Sequence, residues 1–540
     1  MNNLSSANYE PLSPLRFLER SAEVFPDKLA IVCGERRFTY GEFADEATRI
    51  ARALQASGVQ PGDRVAYLCP NVAELLIAHF AVPLAGAVLV AINTRLSADE
   101  VGFICKHSGS RVLIVDEELL PNVVGAPNLG DVGEVFVVGD AAGVAAGDGA
   151  APRNYGELRG RGSVEPLPWA VQDELAMITI NYTSGTTGDP KGVAYSHRGA
   201  YLNALGELLH SEHSASSVYL WTLPMFHCNG WCTTWAVTGI GGTHICLRAV
   251  RGDDIWRLID EHGITHLNGA PAVMTTIVRA PQAHQLQRPL TATVAGAAPS
   301  PRMIAEMEAL GARVIHVYGL TEVYGPYSMC QWQPEWPSLS PDERALKLSR
   351  QGVGMVTAQR LRVVDPDFND VPADGVTMGE IAMRGNDVMI GYFNDEQATE
   401  RAFEGGWFRS GDLGVVHPDG YVELLDRAKD IVISGGENIS TIEVEQALMS
   451  HSAVADAGVI AVADERWGER PKGYVVLAEG ATVEPQELID HVRSLIARYK
   501  APDTIVFVDA LPRTSTGKLQ KFELRARDRE GASATAPVEG

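Results

Sequence analysis

No apolar run in the chain reaches the roughly 18–20 residues that a bilayer-spanning helix needs. The first fifteen residues, MNNLSSANYEPLSPL, have neither the basic patch nor the apolar stretch of a secretory signal. Positive charge is scarce: 45 Lys and Arg stand against 68 Asp and Glu, a formal net charge of −23. That balance argues against nucleic acid and anionic membrane as general partners, since both call for a basic surface. Cysteine is sparse and unpatterned. The residues at 33, 69, 105, 228, 232, 246 and 330 are odd in number and lack the paired spacing of a zinc site or a disulfide framework. These absences point to a reducing, cytoplasmic location and to no transmembrane segment. No internal repeat is evident.

What is present is the composition of a globular enzyme-sized chain. Its 540 residues are 45% apolar and 21% charged, too many for one hydrophobic core, so at least two domains are expected. From about residue 15 to 290 the segment FADEATRIARALQASG has helical spacing, whereas RVAYLCP, AVLVAIN, RVLIVD and EVFVVG read as short buried parallel strands. The alternation predicts an α/β fold with helices covering mostly parallel sheets. Residues 141–168 read as a flexible connection. From about 352, LRVVD, GEIAMRG and GYVELLD, divided by Asp/Pro/Gly turns, predict a small β unit. After DRAKD the pattern turns mixed: helix near 441–450, strands near 455–462 and 472–478, helix over 484–498. The expected domains are 1–428, with the β unit at about 352–426, and a small α+β domain at 429–530. Residues 531–540 are expected to be a disordered tail.

One stretch raises a chemical question. YTSGTTGDPKG, residues 182–192, concentrates hydroxyls, glycines and a lysine, and glycine is costly to order. Backbone N–H groups converging on an anion, helped by hydroxyls and a lysine, would hold a phosphate. The Walker pattern is absent, since Pro190 follows Gly185 where the second glycine belongs and no Ser/Thr follows Lys191. AMITINY before it and GVAYS after it read as strands, so a hairpin-like loop is expected.

This loop, with AGAAPS (295–300), VYGLTEVYG (317–325), WFRSGDLG (407–414), DRAKD (426–430) and PRTSTGKLQK (512–521), resembles the adenylate-forming superfamily of acyl-CoA synthetases, luciferases and peptide-synthetase adenylation domains. The resemblance covers nearly the whole chain. It implies the adenylate-forming enzyme fold and, as cofactors, ATP, Mg²⁺ and coenzyme A. It implies that Thr183, Ser184, Gly185, Thr186, Thr187, Gly188 and Lys191 wrap the ATP phosphates. Gly296, Ala297, Ala298 and Pro299 would lie against adenine, on which Tyr318 stacks, with Gly319 and Leu320 beside it. Thr321 would bind the α-phosphate. Glu322 matches the magnesium ligand, with Thr183 as a second oxygen donor; Mg²⁺ takes few protein oxygens. Asp412 and Arg427 would hold the ribose, a carboxylate being suited to two hydroxyl donors.

Lys518 falls in the family's catalytic lysine position. An ammonium there stabilises charge that builds on oxygen when a carboxylate attacks phosphorus. Other basic residues of the C-terminal segment, such as Arg498, Lys500, Lys521 and Arg525, read as a solvated helical face. The resemblance further implies that the small domain pivots at Lys429 between acyl-adenylate formation and thioester formation. Gly435 and Gly436 would then line the pantetheine passage, and Glu437 would meet His227, a gate in the thiol's path. Cys228 stands where amino-acid-activating relatives place an aspartate, which speaks against an α-amino acid. Ala295, Val317, Gly319, Tyr324, His227, Asn229 and Trp231 are the acyl-pocket candidates. The expected function is ATP-dependent carboxylic acid:CoA ligation on a medium- or long-chain fatty acid or other lipophilic acid. A short-chain, methylthio or aryl acid, or a carrier-protein pantetheine as acceptor, are the alternatives. By analogy with fatty-acid relatives, a homodimer is possible.

Overall fold

A computed structural model describes residues 8–140, 151–183, 190–435, 437–464, 466–514 and 518–534. Two large sheets dominate. The first has nine strands, in the order Val353–Gly354, Gly325–Met329, Ala312–Leu320, Leu290–Val294, His266–Gly269, Val218–Leu220, Thr243–Ile245, Leu29–Cys33 and Arg36–Thr39. Its interior pairs are parallel and its edge strands antiparallel. The second has eight strands, with Met177–Tyr182, Val88–Ala91, Arg64–Leu68, Ser110–Asp116 and Glu134–Val138 running parallel at its centre.

A helical layer lies between these sheets. The helix Ala73–Leu84, AELLIAHFAVPL, is buried at every position, as a helix apolar all round must be. One core cluster accordingly joins Ile31 of the first sheet, Ile77 and Phe80 of that helix, and Tyr67 and Ile114 of the second sheet. Tyr40–Ala56 begins on a capping box: the Thr39 hydroxyl accepts from Glu42 N, and the Glu42 carboxylate accepts from Thr39 N at 2.8 Å.

Two smaller sheets follow. Arg362–Val364, Gly379–Met383, Phe408–Val416 and Val422–Arg427 form an antiparallel four-stranded sheet, matching the β unit expected from the turn spacing. The last sheet pairs Glu437–Ile439, Val432–Ser434, Gly468–Leu477 and Val454–Asp464 antiparallel and adds Thr504–Phe507 in parallel. Helices Thr441–Met449 and Pro485–Leu495 pack on it through a separate core that includes Val444, Leu448, Val459, Val475 and Leu488.

Two sequence expectations are corrected. Residues 153–160 are not structureless, because Arg153–Asn154 extends the second sheet and Tyr155–Gly160 is helical, started by Asn154 and Glu157. The final helix, Lys521–Ala534, runs into the segment expected to be disordered. Among the described residues no helix is long and apolar enough to cross a membrane.

Candidate active site

The sheets converge on a cavity of about 420 Å³ lined from both ends of the chain, by Gly296–Ala298, Val317–Leu320, Asp412 and Arg427, and by Lys518. Each side chain reaches it for a local reason. Gly296, at φ +86°, turns the chain out of the strand Leu290–Val294, and Ser300 then caps the helix Pro301–Ala309 by accepting from Met303 N at 3.2 Å. Small residues here leave a flat backbone wall. Gly319 is required by the backbone: a Cβ there would lie 1.7 Å from Gly325 O.

Asp412 and Arg427 face each other across antiparallel strands. The Tyr318 hydroxyl donates to Asp412 Oδ2 at 2.7 Å. Arg427 Nε lies 3.0 Å from Asp412 Oδ1, but without hydrogen-bond alignment, so that oxygen, on a side chain 3% exposed, accepts no hydrogen bond. A buried carboxylate oxygen without a donor is a costly group that a ligand hydroxyl would satisfy.

The hairpin expected around the phosphate loop is present: Met177–Tyr182 pairs antiparallel with Gly192–Ser196, and Thr183 N donates to Lys191 O at 3.0 Å. Ser184, Gly185, Thr186, Thr187 and Gly188 at its tip, like Gly436, lie outside the described residues. Lys191 Nζ sits 4.7 Å from the ring centre of Tyr392, whose hydroxyl donates to Glu322 Oε1 at 3.0 Å. The base of the loop and the Thr321–Glu322 turn are thus tied through one aromatic residue. Sequence reasoning missed Tyr392, for which the only signal was an aromatic in GYFN after a glycine. Tyr195 holds the same turn, its hydroxyl donating to Thr321 O at 2.6 Å.

Lys518 is held by its loop: its N donates to Thr514 Oγ1 at 3.0 Å and Thr514 N donates to Lys518 O at 2.8 Å. Lys518 is exposed to solvent, yet protein groups crowd it on the cleft side. That crowding lowers its pKa to about 8, with Arg427 pushing it further down and Asp412 pushing it up. Lys518 also contributes to holding the His227 pKa down to about 4, after desolvation as the main cause, so that imidazole is neutral near pH 7. Glu437, expected to meet His227 in the thioester-forming arrangement, is exposed on Glu437–Ile439 in this one. Gly435, at φ +61°, bonds through its N to Trp467 O at 2.7 Å. Lys429 lies on the connection between Val422–Arg427 and Val432–Ser434, its pKa lowered by desolvation. The structure therefore brings Lys518, and neither Gly435 nor Glu437, to the cleft.

The acyl-pocket candidates divide. Val317 and Gly319 line the cavity, and behind Val317 a cluster of Leu223, Cys228, Trp231, Ala295, Ile315 and Met329 closes the wall. Residues 228–232 are all left-handed, with φ of 45°, 45°, 60°, 53° and 60°. Such backbone costs roughly 1–2 kcal/mol per non-glycine residue. A buried network holds it: Asn229 N donates to Asn181 Oδ1 at 3.1 Å, Asn181 Nδ2 donates to Asn229 Oδ1 at 2.6 Å, and Asn229 Nδ2 meets His79 Nε2 at 3.1 Å. Asn229 is thus a strut of the turn and not a pocket wall, correcting the expectation. Tyr324 is corrected too. At φ +66° its side chain turns into the core, stacks on Tyr195 at 4.0 Å, and accepts from Ser196 N at 2.8 Å.

The model of the AMP-binding enzyme family matches residues 18–393, and that of the AMP-binding enzyme C-terminal domain matches residues 443–518. The chain belongs to this family. It is 42% identical to an acetate–CoA ligase of Humulus lupulus, over 97% of this chain and 96% of that one. It is 41% identical to the peroxisomal acetate/butyrate–CoA ligase of Arabidopsis thaliana, with the same coverage. Its fold matches that of an anthranilate CoA ligase solved with anthranoyl-AMP, at a TM-score of 0.86 and 24% identity, covering 98% of this chain and 100% of that one. The large N-terminal α/β lobe and small C-terminal lobe are those of the adenylate-forming enzymes. The donor set suits the family's reactants: the unfilled Asp412 oxygen fits a ribose hydroxyl, the Gly296–Ala298 wall fits a planar base, and Glu322 offers the hard oxygen that Mg²⁺ prefers.

Proposed function

We propose that this family member, an ATP-dependent acid:CoA ligase using ATP, Mg²⁺ and coenzyme A, acts on a compact carboxylic acid of short-chain or small aryl type. What supports the compact substrate is Trp231, 4% exposed and packed with Ile315, Val317 and Met329 behind the Val317 wall of the cavity. The two curated relatives named above are CoA ligases for acetate and for acetate or butyrate. The medium- or long-chain preference expected from the sequence has no comparable support.

In this reading Asp412 Oδ1 accepts from the ribose, Tyr318 stacks on the base and Thr321 contacts the α-phosphate. Glu322 and Thr183 would hold Mg²⁺, which supplies charge neutralisation at the phosphates. A carboxylate oxygen of the acid then forms its bond to the α-phosphorus as pyrophosphate leaves. Lys518 stabilises the charge on the reacting oxygens, a contribution of roughly 3–4 kcal/mol, or about 10²–10³ in rate. In the second step the CoA thiolate attacks the acyl carbon and AMP departs, with neutral His227 standing beside the thiol's path. We take 1–428 and 429–530 as the two moving bodies, with Lys429 at the pivot. The cytoplasm is the compartment we propose, on seven free cysteines; the Arabidopsis relative is named as peroxisomal.

The test is pyrophosphate release across acids from acetate to dodecanoate and benzoate, with thioester products weighed by mass. Activity should peak among the small acids, and Trp231→Ala should shift the optimum to longer ones. An optimum at ten or more carbons in the unaltered enzyme, or no shift in the variant, refutes the compact pocket.

A further inference from the structure

A buried polar relay joins the two lobes beside the cleft. Asp426, 1% exposed, sits near the end of the strand Val422–Arg427. Its Oδ1 accepts from Arg427 N at 2.8 Å, and its Oδ2 accepts from Thr441 N at 2.6 Å and from the Thr441 hydroxyl. Thr441 opens the small-lobe helix Thr441–Met449 and is fully buried. The neighbouring Ser440 hydroxyl donates to Leu425 O at 2.5 Å. Lys521, three residues beyond Lys518, donates to the Thr441 hydroxyl oxygen and lies 2.9 Å from Glu445 Oε1, which also accepts from Val459 N at 2.8 Å. At the other end of the same loop Arg513 pairs with Asp456 at 2.7 Å.

The loop bearing Lys518 is therefore clamped to the small lobe at both ends, and the chain Lys521–Thr441–Asp426 carries that clamp across to the large lobe. Burial pulls the Lys521 pKa down, and Glu445 and Asp426 outweigh it, so the ammonium stays charged between two carboxylates. Asp426 and Thr441 sit on different lobes, so separating the lobes exposes both groups and breaks the bonds. The relay belongs to the arrangement in which Lys518 faces the nucleotide cleft.

We propose that Asp426 is a positioning residue for acyl-adenylate formation, fixing Lys518 over the cleft through Thr441 and Lys521. The inference rests on the role given to Lys518 above. It predicts a step-selective defect, because thioester formation from finished adenylate does not use Lys518. Misplacing a reacting group by about an ångström costs on the order of 10²-fold in rate.

The experiment measures single-turnover acyl-AMP formation by rapid quench and, separately, thioester formation from synthetic acyl-adenylate and CoA, using the full chain and checking folding by thermal melting. Asp426→Asn and Thr441→Val should slow the first step about 10- to 100-fold and change the second by less than about 2-fold. Thr441→Ser, which keeps the hydroxyl, should restore the first step. Equal slowing of both steps, or of neither, overturns the proposal; if Asp426→Asn does not fold, the Thr441 pair decides alone. Lys518→Ala is the reference: its adenylation unimpaired refutes the parent reading as well, whereas its loss beside a normal Asp426→Asn and a normal Thr441→Val refutes the relay only.

Discussion

In the proposed mechanism Lys518 is the residue on which the chemistry turns, and its protonation gives a direct handle. Crowding in the cleft lowers its pKa to about 8; Arg427 and Lys429 push further down while Asp412 and Asp430 push up. The charged ammonium is the useful form, so the adenylation rate should be full below that pH and fall as pH rises through it. Lys518→Arg should move this alkaline limb upward, because a guanidinium keeps its proton. An alkaline limb that stays near pH 8 in the arginine variant would remove Lys518 as its source. His227, with a pKa of about 4, contributes no limb near neutrality. At this scale the motifs placed Tyr318, Asp412, Arg427 and Lys518 together before any coordinates did, because each stands at a fixed offset within a short segment. The failures, Asn229 and Tyr324, both sit at positive φ, where spacing along the chain no longer says which way a side chain points. Tyr392 escaped notice because its part in the site comes only from a tertiary contact with Glu322.

Among the elements, the strand Ala312–Leu320, paired antiparallel with Gly325–Met329, carries one wall of the cavity. Gly319→Ala should cost about 3 kcal/mol or more, since its Cβ would meet Gly325 O in rigid backbone that cannot withdraw. Denaturant unfolding checks this, and a variant as stable as the parent would show that the hairpin can open at no cost. The buried parallel strands were legible because each is a short apolar β-branched run: RVAYL, VLVA, SRVLIVD and EVFVV all form where their patterns predicted. The helix Tyr155–Gly160 is hard to see in the sequence although Asn154 and Glu157 spell a capping box, because it is short and its flanks are glycine-rich. The left-handed turn at 228–232 had no readable signal beyond one glycine. Its conformation is imposed by Asn181 and His79, which are remote in sequence.

At the scale of the whole molecule, the candidate site is split between lobes. Asp412 and Arg427 come from the four-stranded sheet, Tyr318 from the nine-stranded sheet, and Lys518 from beyond the last sheet. The order of motifs told the sequence reader that these parts belong to one site. It did not tell how the lobes are held, since Asp426 and Thr441 look like ordinary turn and cap residues until they are seen in contact. The account's central claim is that Lys518 completes, across the interlobe cleft, a site where a carboxylate attacks the α-phosphorus. Acid-dependent exchange of pyrophosphate into ATP, measured without CoA, tests it most directly. The unaltered enzyme should exchange label with small carboxylic acids, and Lys518→Ala should lose about 10²-fold or more of that rate. Exchange that no acid supports, or that persists undiminished in Lys518→Ala, would contradict it.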